Sequence, residues 1–568
     1  MPLPTPAIVA QSAVRRLPRW VILLLCTTYI LTGFVARHPW REREMEAFAL
    51  MQALAQGHSP WLMPQIDGLL PNQPGLLQYW LGAWALQLLP AGWPADIVTR
   101  LPFMLLLALA LACTWWAVYG LARTPGAQPV AFAFGGEANP RDYAHALADG
   151  ALLALLACLG LAQLGHSTTY ALVQLAAVCA LFYAASNLWW QPRCAAVATL
   201  LAPLALALSG EPAMAMVLGV LAMVMVLRAP SPRLPQRYTW AAWWLLSLAL
   251  AASTAAVLHL WQWPLLPWGS GRDWDSLARA LLWFSWPAWP LALWTLWRWR
   301  LQLRQPLRQL HLAIPLGLWV VALLFATFGL ERDSAVLLTL PAIAAMAAFA
   351  LPTLRRSLSA LIDWLTLVFF TISAITIWVV WLSVQTGWPA KPAANVLRLS
   401  DGYLPPFEAL PFAIALAASA AWLLLVTWRT RRHRAAIWKS LALPAGGSVL
   451  GWVLLMTLWL PMLDYGRSYA PQIQRLQAVL PASATCLGTW DLDSATVGAL
   501  RWHTDRHILP WHAAPTDKQA PACPWLLTTP QAWSALGAAQ PLLHWQSHAD
   551  IVRPTQRNDR WLLLHHQP

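Results

Sequence analysis

RHPWREREMEAFALMQALAQGHSPWLMPQIDGLLPNQPGLLQYW runs from Arg37 to Trp80, between the first strongly apolar run and the second. It holds Glu42, Glu44 and Glu46, three of only 23 acidic residues in 568. An acid-rich loop hung between apolar runs is a segment kept to bind something or to do chemistry. The rest of the chain then serves to hold that loop at a membrane face.

The composition agrees. Apolar residues make up 59% and charged residues 11%, and mean hydropathy is +0.50. A soluble domain carries about a quarter charged residues. Apolar runs near span length recur from Trp20 to Leu460, the pattern of a polytopic α-helical membrane protein. The net charge of +14 does not indicate nucleic acid, because Lys and Arg cluster in short segments between apolar runs, as in cytoplasmic loops. Arg15, Arg16 and Arg19 precede the first run, and Arg37-His38-Pro39-Trp40 follows it instead of a small-residue cleavage site. That run reads as a retained signal anchor.

Thirteen spans are expected, near 20–36, 100–122, 148–165, 174–190, 195–209, 212–227, 240–261, 279–297, 312–330, 334–352, 359–384, 409–428 and 441–462. The loop charges set the orientation. Segments expected inside carry Arg123 and Arg141; Arg193; Arg228, Arg233 and Arg237; Arg298, Arg300, Arg304 and Arg308; Arg355 and Arg356; and Arg429, Arg431, Arg432, Arg434 and Lys439. The outside loops between later spans carry Arg272, Arg332, Lys391 and Arg398, mostly beside acids. The N-terminus is therefore cytoplasmic and the C-terminus external. Leu76–Leu89 is short for a span and rich in Trp, and reads as an interfacial helix. Met45–Ala55 has the mixed faces of a second one.

From Asp464 onward charges return and apolar runs shrink. QIQRLQAVL has helical spacing, while ATCLGTW, RHILPW, PWLLTT and DRWLLLHH read as short strands. This is a small α/β domain at 463–568, beside a membrane domain at 1–462 whose first outer loop is 37–99. Cys486 and Cys523 lie in it, and an external location permits a disulfide; spacing alone leaves bridged and free thiols equally open. Cys26, Cys113, Cys158, Cys179 and Cys194 fall in or beside spans as small apolar fillers.

The first loop and its neighbours resemble the polyprenyl-phosphate-dependent glycosyltransferases of the GT-C superfamily. The likeness is to the bacterial transferases that put aminoarabinose on lipid A and to dolichyl-phosphate-mannose-type relatives. Their W-x-P-D-E, G-D-W-x-x-P and E-K-P-P-L-x-Y-W segments correspond to Trp40-Arg41-Glu42-Arg43-Glu44, to Gly57–Pro64, and to Asn72-Gln73-Pro74-Gly75-Leu76 with Tyr79-Trp80. Arg100-Leu101-Pro102 resembles the R-L-P opening their second span. The sequence departs from the family at three places. Gln174 stands for the second acid, Gln73 for the Lys of E-K-P-P, and Ser209 for the Lys of T-K-G.

The resemblance implies sugar transfer from a polyprenyl-phosphate-sugar donor to a lipid or glycan acceptor at the outer face of a bacterial inner membrane. Such chemistry needs a carboxylate for the acceptor's proton and cations facing the carrier phosphate. Glu44 is the first choice for the acid and Glu42 the second. On the bland reading both merely pair with Arg41 and Arg43. Arg41, Arg43, Gln73, Tyr79, His166, Tyr170, Gln174 and Arg332 are the expected substrate-binding set. Arg37, Arg41, His166 and Arg332 are the replacements for the missing cations. His166 reads more readily as an interfacial hydrogen-bonding residue, and Arg332 equally as a partner of Glu331 or Asp333. No cofactor is demanded, and displacement with or without a divalent metal ion stays open. A transporter and a catalytically silent homologue acting as a binding subunit are the competing classes. Transporters favour paired repeats and broken mid-membrane helices, neither of which the sequence displays.

Overall fold

Ala- and Leu-rich runs with few β-branched breaks fold as helices, and most of this chain is helical. The computed structural model describes residues 5–73, 75–90, 92–228, 237–261, 274–305, 309–329, 332–431, 436–514, 523–539 and 544–567. Pro74, Ala91, Arg233, Arg272, Arg308, Glu331, Arg432 and Arg434 lie outside them, as do the side chains of Arg332 and Arg431. The chain divides into two compact units. One is Met1–Val35, Pro102–Ile377 and Ala409–Thr457; the other is Ala36–Leu101, Trp378–Glu408 and Leu458–Pro568.

Among the described residues the first unit is helices and the loops that join them, with one isolated bridge between Ala10 and Glu137. Among the described residues, eight segments of the chain are long and apolar enough to cross a membrane, and Arg19–Phe34, Pro192–Leu208 and Pro212–Arg228 are shorter apolar helices. The apolar stretches of Tyr170–Asn187 and Asp333–Thr353 are almost wholly buried, whereas that of Ala409–Thr430 is mostly exposed. The inner pair is built largely from Ala and other small residues, which let backbones approach. The outer helix exposes Leu410, Ile414, Leu416, Leu423 and Leu424, as a lipid-facing surface does.

The expected thirteen spans are not matched helix for helix. The run at 279–297 is two helices, Trp274–Phe284 and Ala288–Arg298. Pro287 lies at the break, where it offers no N–H and disfavours helix at the residue before it. The run at 441–462 likewise ends as a helix at Leu455, and Pro461 then opens Leu460–Arg467. The run at 148–165 breaks at Cys158, which is extended, and the N–H of Leu159 donates instead to the Trp286 carbonyl at 3.2 Å.

The second unit holds helices α1 (Arg43–Ala55), α2 (Leu77–Leu88), α3 (Ala390–Leu399), α4 (Leu460–Arg467) and α5 (Ala470–Val479). They are followed by β1 (Cys486–Trp490), α6 (Ser494–His503), β2 (His507–Trp511), β3 (Trp525–Thr528), α7 (Pro530–Ala539), β4 (Trp545–Arg553) and β5 (Gln556–His566). The strands form one sheet in the order β2-β1-β3-β5-β4. β1 runs parallel to β2 and β3, and β5 runs antiparallel to β3 and β4. Central β3 is buried at every position, which accounts for its unbroken apolar run. Leu526, Trp545 and Leu564 form the sheet's core.

The four strand-like runs read from the sequence are β1, β2, β3 and β5, and the helical run is α5. The sequence reading missed β4. It is a polar edge strand with a bulge between Ser547 and Ala549, and a bulge breaks the alternation a strand is recognised by. Cys486 and Cys523 are bridged, with Cα atoms 5.9 Å apart.

Candidate active site

The segment Arg37–Glu46 enters α1 through an unusual corner. Glu42 is the N-cap of α1, with φ 59° and ψ −111°. A residue with a Cβ holds a positive φ at a cost of about 1–3 kcal/mol, and such strain concentrates at functional sites. The corner leaves the Glu42 side chain exposed. It also swings Glu44, two residues on, into the protein.

Glu44 is 5% exposed, and so is Arg37. The two make a bidentate pair, Nη1 to Oε2 at 2.5 Å and Nη2 to Oε1 at 2.8 Å. The backbone N–H of Trp40 also donates to Glu44 Oε2 at 2.9 Å. Burial pushes the Glu44 carboxyl up, but the Arg37 charge and hydrogen bond, the Arg100 charge and the Trp40 amide outweigh it, and the group sits below its ordinary value. Glu44 is therefore an anion locked in place.

Glu46, one turn along from Glu42, is buried as well. Its Oε1 accepts from the Asn72 amide at 2.9 Å and from the Ser494 hydroxyl at 2.5 Å. Burial raises its carboxyl, opposed by these two hydrogen bonds. Arg41 is committed too. Its guanidinium pairs with Asp559, hydrogen-bonds Gln472 Oε1 at 2.5 Å, and lies 4.1 Å from the centre of the Tyr469 ring.

The tail residues that complete this corner were not expected from the sequence. Asp464 of α4 accepts from the backbone N–H of His38 and from the indole N–H of Trp40, both at 3.1 Å. Burial raises its carboxyl, opposed mainly by His38. Trp40 carries the guanidinium of Arg37 at 4.4 Å and that of Arg467 at 4.9 Å from its ring. Each such contact is worth about 0.5–1 kcal/mol at an exposed site. The rings of His38 and His503 meet edge to face at 5.5 Å. Nothing local in the sequence marks Asp464 or Arg467 as neighbours of Trp40. The only signal is that charges return immediately after the last apolar run.

The remaining expected residues divide between the units. In the second unit, Arg43 is half-buried at the first position of α1, Gln73 is half-buried in a turn, and Tyr79 is 1% exposed on α2. In the first unit, His166 is 3% exposed. Its Nε2 lies 2.8 Å from the Tyr29 carbonyl and its Nδ1 3.0 Å from that of Ala162, and its ring packs against Trp452 at 4.7 Å. Gly33 makes room for it, since a Cβ there meets the ring at 2.2 Å. The Tyr170 hydroxyl meets that of Ser334 at 2.9 Å. Gln174 Nε2 donates to the Ser209 carbonyl at 3.1 Å, so two departures from the family pattern touch each other. Arg332 opens the helix Arg332–Leu337.

Among the described residues no three His, Cys, Asp or Glu side chains converge as metal ligands. What the corner in the second unit offers is an exposed carboxylate, Glu42, on a strained turn two residues from Trp40, whose ring carries the exposed Arg467.

No protein-family model matches the chain, and no curated protein matches it. Among solved structures the fold is similar to ArnT from Cupriavidus metallidurans in the apo state, with TM-score 0.60 and 15% identity over 96% of this chain and 97% of that one. It is similar also to ArnT from the same organism bound to undecaprenyl phosphate, with TM-score 0.60 and 16% identity over 96% of this chain and 98% of that one. Likeness at this identity is likeness of fold, and at that level the resemblance carried by the first loop is borne out: this is a helical membrane protein with a small C-terminal sheet, built on the ArnT architecture.

Proposed function

We propose that this chain is a glycosyltransferase of the bacterial inner membrane that moves a sugar from a polyprenyl-phosphate carrier to a lipid of the lipid A kind or to a surface glycan. The N-terminus is cytoplasmic and the first loop and tail are periplasmic. The observation that carries the reading is the likeness over nearly the whole chain to a fold solved with undecaprenyl phosphate bound. The strained, exposed acid at the head of α1 supports it.

In this reading Glu42, not Glu44, acts on the acceptor. Glu44 already accepts three hydrogen bonds from Arg37 and Trp40 and has no open face for a substrate proton. The acceptor oxygen attacks the anomeric carbon and gives its proton to Glu42. The bond from that carbon to the phosphate oxygen breaks, and the carrier phosphate leaves with the electron pair. Arg467, exposed beside Trp40, is the cation best suited to meet the developing charge. Arg37, Glu44 and Arg41 position the loop. No step is routed through a metal ion.

The test is transfer in vesicles supplied with a polyprenyl-phosphate sugar, read by mass spectrometry of lipid A and surface glycans with and without the protein. Glu42→Gln is expected to lower transfer by about 10²–10⁴-fold, the usual worth of a positioned acid or base, with unchanged protein level. Transfer unaffected by Glu42→Gln sinks the assignment. A second reading, a silent homologue that binds the carrier, is favoured by the neutral Gln174–Ser209 hydrogen bond where the family places an acid and a lysine. That reading predicts carrier binding with no glycan change.

A further inference from the structure

A cavity of about 390 Å³ opens in the second unit, walled by side chains other than those of the Glu42 corner. This is within the range of small-ligand sites. Its wall comes from four elements. Trp381 and Val384 stand in the last turns of the candidate span Arg356–Thr386, Val396 and Leu399 on α3, Met462 on α4, and Thr555 between β4 and β5. Only Ser400 and Thr555 bring hydroxyls to the wall. Both are spent inside the protein. Ser400 donates to the carbonyls of Leu397 and Tyr403 at 3.4 and 3.3 Å, and Thr555 to that of Gly466 at 3.5 Å. The interior therefore suits an occupant with no polar groups of its own.

The rim indicates where that occupant comes from. Leu399 lines the cavity yet is 69% exposed, so it stands at the mouth. Trp388, Leu404 and Phe407 of the same segment are also strongly exposed. A cluster of exposed Trp, Leu and Phe at the end of a candidate span is the composition of a membrane–water interface. α3 itself, AKPAANVLRL, sets Val396 and Leu399 on the cavity side and leaves Lys391 and Arg398 exposed, the design of a helix lying in a membrane interface with its cations toward the headgroups. Nearby Asp401 is paired with Arg475, and Glu408 is the exposed acid on the far side of the segment.

We propose that this cavity takes up one acyl chain of an anionic membrane lipid, whose headgroup meets Arg398 and Lys391. Its lining side chains are other than those of the Glu42 corner, although α4 serves both, carrying Met462 here and Asp464 and Arg467 there. It would anchor the tail of the chain to the bilayer surface through α4.

The test uses the full chain in phosphatidylcholine vesicles containing phosphatidylglycerol with a diazirine at the end of one acyl chain. Photolysis is followed by peptide mass spectrometry. Label is expected on α4 at Met462, although α4 is too short to span. Leu399→Trp, which fills the mouth, should lower that label several-fold while label on the bilayer-facing helix Ala409–Arg431 is unchanged. Arg398→Glu, a surface change that leaves packing alone, should lower it when the probe is phosphatidylglycerol and not when it is phosphatidylcholine. Label confined to Ala409–Arg431 overturns the proposal. Label at Met462 indifferent to Leu399→Trp does so too, and equal label from the two headgroups removes the anionic part.

Discussion

Glu42 and Glu44 stand two residues apart and have opposite fates. The acid-rich loop was legible in the sequence, but which acid is open was not, because burial of Glu44 depends on a corner at Glu42 that has no sequence marker. Removing one partner of a buried ion pair costs about 3–5 kcal/mol, since the other charge is left without compensation. Glu44→Ala should therefore lower the melting temperature of the purified protein markedly. Arg37→Met/Glu44→Leu should recover much of the loss in the same melt. His503 supplies a pH test. Burial, helped by His38, pushes its imidazole down to about 4 from 6.5. A folded value below the unfolded one means the neutral form is favoured by the fold. That stabilisation is fully present above pH 6.5 and fades as pH falls toward 4. Acid lability of the loop–tail contact, followed by hydrogen exchange of α1 and α6 amides across that window, should be reduced in His503→Gln.

Helices α1 and α2 were both read as surface helices, α1 from its mixed faces and α2 from its short length and its Trp content, and only α2 keeps the exposed Trp84 and Leu88 that such a role asks for. In α1, Met45, Phe48, Leu50, Met51 and Leu54 are all buried. The element that covers it, α6, was absent from the sequence reading, because SATVGALRWH has too few apolar residues to declare a face. The fit is close. A Cβ at Gly498 of α6 comes within 2.3 Å of the Ala49 Cβ of α1, and Phe48 meets Trp502 edge to face at 4.9 Å. Gly498→Val should thus cost about 1–3 kcal/mol by overpacking. Ala49→Gly should cost about 1 kcal/mol alone from helix propensity, yet partly rescue Gly498→Val. A melting-temperature cycle of the four proteins measures the coupling.

For the whole molecule, the membrane class, the helical content and the small terminal sheet followed from composition and run lengths. The span count did not, because prolines such as Pro287 and Pro461 break runs that hydropathy joins. Nor could spacing decide whether Cys486 and Cys523 meet; that needed β1 and the start of β3 to lie side by side. The bridge closes a loop with a sequence separation of 37, for which chain entropy gives about 2–4 kcal/mol of stabilisation. Cys523→Ser should lower the melting temperature accordingly, and reducing agent should affect the parent protein but not the variant.

Arg41 and its partner Asp559 are separated by 518 positions along the chain. At about 5–20 residues per second of synthesis, the first loop leaves the ribosome roughly 25–100 s before the residue that secures it exists. Glu46 waits for Ser494, 448 positions on, and Arg41 gains Gln472 before Asp559, so the loop's native partners arrive in sequence, Asp559 last. A message cut short before β5 would release a chain whose membrane helices are all present and whose first loop still lacks the Asp559 partner of Arg41, a substrate for quality-control proteases distinguished from the finished protein by a largely buried cation left short of its counter-charge.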